Sequence, residues 1–343
     1  MAKGITAFLL ASTAAFAQGT LTGPSLGLIF DPAAQAIRPI LGVPGAASVG
    51  SPLDAGFPIA AAVISPTQSY ALAVSAAGSV YVVSVSGSTA SAQAIGAASS
   101  PDRMVLSASG SAAVLYYKSG SVQILTGLPG APQTGSPIGI SGLPNTPGAL
   151  AVSDDGAVII AGLNEPPSPN RPKQARPRAV PLNGLYVIPQ DGSAPERVSP
   201  LRVSALAFFA NSHDALVADS VANSITLIRD IAGEASVAWT FSNSGLQEPD
   251  AVAASADGST VLAASSKTGV LARLDASGAN PVFVPCKCAP SEFRPLTAPG
   301  IYQVTEAESG LLWIFDSNPQ NARVLFVPAG VSAAMSAVGI PGR

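Results

Sequence analysis

A chain of 343 residues of which 48% are hydrophobic can build a large core, so disorder for want of apolar surface is excluded, while Gly 33 and Pro 31 mark it as rich in turns. Charged residues make up 11%, against roughly 25% in an ordinary soluble domain, and a net charge of −3 excludes the basic footprint of a general nucleic-acid binder. One His, two Cys and three Met remove most metal-site and redox chemistries, and no cofactor is implied by any motif.

At the N-terminus, Met1-Ala2-Lys3-Gly4 carries one positive charge, Ile5 to Ala15 is largely apolar, and Ala15-Phe16-Ala17 reads as an A-x-A cleavage site. Residues 1–17 are therefore expected to be a signal peptide, and 18–343 a single exported domain beginning at Gln18. The apolar stretch is shorter than the roughly 20 residues a spanning helix needs, and no later window is long and apolar enough. The expected location is extracytoplasmic, periplasmic or secreted, with no transmembrane segment after cleavage. An uncleaved anchor is the alternative.

Downstream, helical periodicity is scarce. Short runs of Val, Ile, Leu, Tyr and Ala are broken by Gly, Ser, Asp and Pro, which is the punctuation of strands. One phrase recurs: a strand ending in Ser, a tight polar turn, a second strand, a Gly-bearing turn, then two more strands. Its clearest copy runs from Pro249-Asp250-Ala251-Val252-Ala253-Ala254-Ser255-Ala256-Asp257-Gly258 through Thr260–Ser265 and Gly269–Asp275 to Pro281–Pro285. The first turn of each copy falls near Pro66, Ala108, Asp154, Ala210, Asp257 and Pro299, at intervals of about 42 to 46 residues. The one longer interval, between Asp154 and Ala210, holds an insertion rich in Pro and Arg, Asn164 to Leu182 (164–182).

Four strands at a period of roughly 40 to 45 residues is the spacing of β-propeller blades, so the expected fold is all-β, a propeller of four-stranded blades. Six complete copies span Ile59 to Val327. Leu26–Asp31 and Ala36–Val43 look like the last two strands of an earlier blade, and the tail Val331–Ile340 is expected to join them in a composite seventh blade. A ring of six blades with an accessory hairpin is the alternative. The strand reading roughly P-x-x-V-A-x-S-x-D-G, best in Pro249–Gly258 and next in Pro147–Gly156, resembles that of bacterial exported propellers of the YVTN/NHL-like repeat kind. The resemblance implies fold more strongly than activity, because its motifs are structural. WD40 and kelch blades are disfavoured: His213 is not preceded by Gly, neither Trp239 nor Trp313 is followed by Asp, and the chain contains no Gly-Gly.

Few residues invite a chemical reading. His213, beside Asp214, is the one histidine available as a base, and it falls in a strand 1–2 turn; without a G-x-S-x-G elbow, nucleophilic catalysis is not expected. Asp102 and Asp250 occupy equivalent strand openings near the channel, where they either cap strand ends or contribute to ligand or cation binding. Cys286 and Cys288 lack the further ligands tetrahedral zinc requires, and in an exported chain a local disulfide is expected, with free thiols as the alternative. Arg171, Lys173, Arg176 and Arg178 make the 164–182 loop the one strongly basic patch, a candidate contact for a protein, an anionic glycan or an envelope surface. The expected function is an exported, non-enzymatic binding scaffold. The alternatives are a propeller hydrolase or lactonase with a channel metal, and a structural or adhesive envelope module.

Overall fold

The computed structural model describes residues 23–164, 183–305 and 311–328, and every regular element among them is a β-strand. The strands form seven antiparallel sheets in chain order, each a blade of a closed seven-bladed β-propeller. Blade 1 comprises Ser25–Asp31, Ala36–Val43 and Ala46–Val49. The third, a short strand of small residues, pairs with Ala36–Val43 at the edge of the sheet, so Leu26–Asp31 and Ala36–Val43 are not the last two strands of this blade, as the sequence suggests, but precede its last one. Blade 2 runs from Ile59–Ile64 to Thr89–Ala94, blade 4 from Ala149–Val152 to Glu196–Ser199, and blade 5 from Val203–Phe208 to Ser236–Ser242. Blade 6 runs from Ala251–Ala254 to Val282–Pro285 and blade 7 from Arg294–Pro295 to Arg323–Val327. Blade 3, opening with Arg103–Leu106, departs from the pattern at its outer edge and is described below.

Alternation along the strands explains why the blades stack. In blade 2, Leu72 and Val74 pack toward blade 3 with Leu115 and Tyr117, while Ala71 and Ala73 pack toward blade 1 with Leu28 and Ile37. Successive side chains of a strand point to opposite faces, so a strand sandwiched between neighbours must be largely apolar on both, as Tyr70–Ser75, Ala113–Tyr117 and Ile159–Leu163 are, each buried at every position. Outer strands face water: Thr89–Ala94, of polar and small residues, is exposed at nearly every position, while those of blades 5, 6 and 7 also carry partly exposed large apolar residues such as Val237, Phe283 and Phe326. Sparse charge thus follows from a fold with most of its sheet surface facing other sheet.

Each seam between blades holds one hydrophobic cluster, and there are seven. The last closes the ring, joining Leu26, Ile29, Ile40 and Val49 of blade 1 to Leu296, Ile301, Leu312, Ile314 and Val327 of blade 7. Backbone bonds follow the same seam: the Thr297 amide donates to Leu26 O at 3.0 Å and the Val49 amide to Pro328 O at 3.3 Å. Gln68, in the first turn of blade 2, accepts the Leu28 amide at 2.6 Å and donates to Pro295 O at 2.6 Å, tying blades 1, 2 and 7 together. The tail 331–340 expected to complete the composite blade lies outside the described residues.

All six expected first turns lie between the first and second strands of blades 2 to 7. In blades 2, 3, 4 and 6 a serine ends the first strand and shapes the turn, whereas Phe209 and Leu296 stand there in blades 5 and 7. In blade 4, Ser153 Oγ donates to Asp155 Oδ1 at 2.5 Å and accepts the Val158 amide at 2.9 Å, while Gly156, at φ +71°, donates its amide to Ser153 O. Blade 6 repeats this with Ser255, Asp257, Thr260 and Gly258 at φ +69°. The serine–aspartate–glycine phrase is therefore a self-bonded turn whose glycine takes the left-handed conformation that side chains disfavour.

Candidate functional site

The sequence-singled residues are spread over several blades. Asp102 opens blade 3, and its carboxylate accepts the Lys118 amide at 2.7 Å, with the Lys118 ammonium at 3.3 Å. The Lys118 amide hydrogen bond, with the side chain's ammonium behind it, holds this acid below the usual carboxylate range. Asp250 opens blade 6 and accepts the Ser266 amide and hydroxyl in the same way. It is more deeply buried, and burial pushes its carboxyl above the usual range in spite of those bonds. Each acid therefore caps the second turn of its own blade, and no shared cluster forms between them. Among the described residues, no three His, Cys, Asp or Glu side chains gather as a metal-binding group.

Cys286 and Cys288 are joined as a disulfide, with Cα atoms 5.0 Å apart, and the Cys286 amide donates to Gly269 O, which places the pair beside the second turn of blade 6. The insertion that carries Arg171, Lys173, Arg176 and Arg178 lies outside the described residues beyond Asn164, and it departs from that same side of the ring, between Ile159–Leu163 and Gly184–Ile188. Its first residue is anchored, since Asn164 Nδ2 donates to Ser220 Oγ of blade 5 at 2.9 Å.

The larger concavity opens on the opposite face, among the first and third turns of the blades. It is a cleft of about 980 Å³ between the outer half of blade 3 and the turns Asp155–Ala157 and Gln190–Gly192 of blade 4. A break in the outer strand of blade 3 forms it. That strand pairs with Ser121–Thr126 through Gln133–Thr134 and Ile138–Gly139; the Gly135 amide still donates to Ile124 O at 2.9 Å, and Ser136-Pro137 bulge out between the two segments. Proline removes a ladder donor, which suits it to such a break. Buried Gln123 bridges the gap, donating to Gly135 O at 2.9 Å and accepting the Ala98 amide at 2.9 Å. The floor is Gly156, where an added Cβ would lie 2.6 Å from Thr126 Cγ2, so only glycine lets blade 4 approach this closely.

Next to the cleft, and sharing Asp155 with it, is a hollow of about 490 Å³ lined by Ser111, Asp154, Asn211, Ser212 and His213. Asp154 holds three blades here, accepting the Ser109 amide of blade 3 and the Asn211 amide of blade 5, each at 2.7 Å. Burial works against its ionisation, but these donors win and hold its pKa below the usual value. Asp155 lies 3.0 Å from His213 Nε2 of blade 5. The Ser153 hydroxyl first, then the Ala157 amide and His213, hold the Asp155 carboxyl down to about 2. His213 is thus paired across a seam with Asp155, not with its neighbour Asp214, which accepts the Asp230 amide.

No protein-family profile and no curated protein matches the sequence. Solved structures do match in fold. A protein of unknown function from Desulfotomaculum acetoxidans is 15% identical, with a TM-score of 0.56 over 89% of this chain and 100% of its own. A protein from Bacteroides fragilis assigned as a 6-phosphogluconolactonase is 13% identical, with a TM-score of 0.56 over 88% of this chain and 92% of its own. The β-propeller domain of Cps50 from Myceliophteria thermophila is 13% identical, with a TM-score of 0.52 over 86% of this chain and 98% of its own. At such identities the likeness extends to the propeller fold and no further.

Proposed function

We propose that this chain is an exported, non-enzymatic binding scaffold, a bacterial propeller of the YVTN/NHL-like repeat kind whose leader 1–17 is removed before Gln18. The use made of its acids supports this reading most. Asp102, Asp154 and Asp250 all accept backbone amides that hold turns, so these acids keep the faces rigid, and the acid–histidine pair among the described residues, Asp155 with His213, bridges the seam between blades 4 and 5. A lactonase or hydrolase would need a convergent acid–base set at the channel. The partner we assign to the second-turn face is a protein or an anionic glycan or envelope surface, met by Arg171, Lys173, Arg176 and Arg178 with long-range attraction that salt screens. The test is association of the purified mature chain with envelope extract at low and high salt, beside a variant with these four residues replaced by Ser. The expected result is binding that salt weakens, and weaker, flatter binding by the variant. No association at any salt, or metal-dependent hydrolysis of lactones or aryl esters, would overturn the reading.

A further inference from the structure

On the face opposite the second turns of the blades, the geometry points to a second binding site: we propose that the cleft between blades 3 and 4 holds a neutral polyhydroxylated ligand, a segment of glycan. This rests on the scaffold reading and extends it to a separate surface.

The cleft is a departure from the repeat. Blades 2, 6 and 7 carry an outer strand in unbroken register, whereas blade 3 bulges at Ser136-Pro137, and Gln123 together with the Gly135 amide holds the bulged segment in place. At about 980 Å³ the space falls near the upper end of the roughly 300–1,000 Å³ range of small-molecule sites. Of the apolar members of its wall, Ile124 and Ile138 are buried and only Pro137 and Ala157 are exposed, so an incoming molecule meets these two small patches among Gln133, Ser136, Asp155, Gln190 and Asp191, all exposed. An apolar ligand would strip water from these groups without replacing its hydrogen bonds. An anion would face two carboxylates, and no Lys or Arg lines the wall.

A cationic peptide is the serious competitor, and the lining favours a glycan over it. Asp155 already faces His213 and accepts Ser153 and Ala157, while Asp191 accepts the Ser193 amide, so both acids are partly satisfied. Exposed ion pairs add little in any case. The amides of Gln133 and Gln190 each spend one N–H within the fold, on Ala131 O and Gly156 O, and keep a second N–H and the carbonyl oxygen, and with the hydroxyls of Thr126, Thr134 and Ser136 they offer donors as well as acceptors. A sugar hydroxyl is both donor and acceptor and can answer each of them, whereas an ammonium or guanidinium only donates.

The experiment screens the mature chain on an array of neutral oligosaccharides and measures the strongest hit by calorimetry at low and high salt. Ser136→Trp, on the exposed bulge, fills the cleft; Asp191→Asn removes one acceptor; Lys118→Ala, on the other face, is the control, with thermal melts confirming that all three fold. The expected result is saturable, salt-insensitive binding, lost in Ser136→Trp, weakened about tenfold in Asp191→Asn, the equivalent of one good hydrogen bond, and kept in Lys118→Ala. Binding of oligolysine instead, abolished by salt, would replace the glycan with a cationic peptide. No neutral saccharide bound, or binding untouched by Ser136→Trp, would overturn the site; association with envelope extract that survives Ser136→Trp would leave the scaffold reading standing without it.

Discussion

The first turns of blades 4 and 6 are built from the same phrase and do different work. In both, a strand-end serine bonds an aspartate two residues on, and a glycine with φ near +70° closes the turn. The residue between serine and aspartate separates them. In blade 4 it is Asp154, which reaches the amides of Ser109 and Asn211 on both flanking blades; in blade 6 it is Ala256, which has no side-chain group to reach with. The glycines differ as well. A Cβ on Gly156 would run into Thr126 of blade 3, whereas one on Gly258 would meet nothing nearer than Phe209 at 3.7 Å. One repeated turn thus serves as a local closure in blade 6 and as a brace across three blades in blade 4, beside the cleft.

Substitutions at matched positions sharpen that contrast. The largest effect is expected for Gly156→Ala, which combines left-handed backbone strain of about 1–2 kcal/mol with overpacking against Thr126 of about 1–3 kcal/mol. Gly258→Ala carries the strain alone, so thermal or denaturant unfolding should separate the pair. Equal losses would show that the close approach at blade 4 costs nothing to disturb.

Next is Asp154→Ala, which removes two charge-assisted bonds and should cost about 2 kcal/mol, with no counterpart at Ala256. A denaturant midpoint unchanged from the parent would break the idea of a brace.

The smallest effect separates Asp154 from Asp250 by pH. The Asp154 pKa is lowered in the folded chain, so its stabilisation is present above the unfolded value near 3.8 and is lost as pH falls through the folded one. Asp250 is raised, so its ionisation opposes folding above its folded pKa, and that opposition is gone below about 3.8. Asp154→Asn should therefore lower the melting temperature at neutral pH by an amount that shrinks under acid. Asp250→Asn should leave it unchanged or raise it, with any gain vanishing under acid. Parallel pH profiles for the two variants would contradict these assignments.

The ring was legible in the sequence because its signals are local. Ser153-Asp154-Asp155-Gly156 and Ser255-Ala256-Asp257-Gly258 carry their own hydrogen bonds, and alternation within runs such as Tyr70–Ser75 assigns residues to two seams without knowledge of the partners. Ala46–Val49 escaped notice because four small residues after Pro44-Gly45 have little of the β-branched or aromatic signature of a strand. The cleft was less legible still. Asp154 is recognised by amides 45 and 57 residues away, and a backbone amide leaves no mark in the side-chain pattern. The nearest available signal was Gly135-Ser136-Pro137, where a proline falls between the two segments of the outer strand. The strand openings that attracted notice, Asp102 and Asp250, were conspicuous because they repeat, and they repeat because they cap turns.

Amide hydrogen exchange in the parent and in Asp154→Ala tests the brace most directly. The account predicts that the amides of Ser109 and Asn211, on two different blades, lose protection together, while the amide of Ser259, held by Asp257 in blade 6, exchanges as before. Unchanged protection at Ser109 and Asn211, or an equal loss at Ser259, would contradict it.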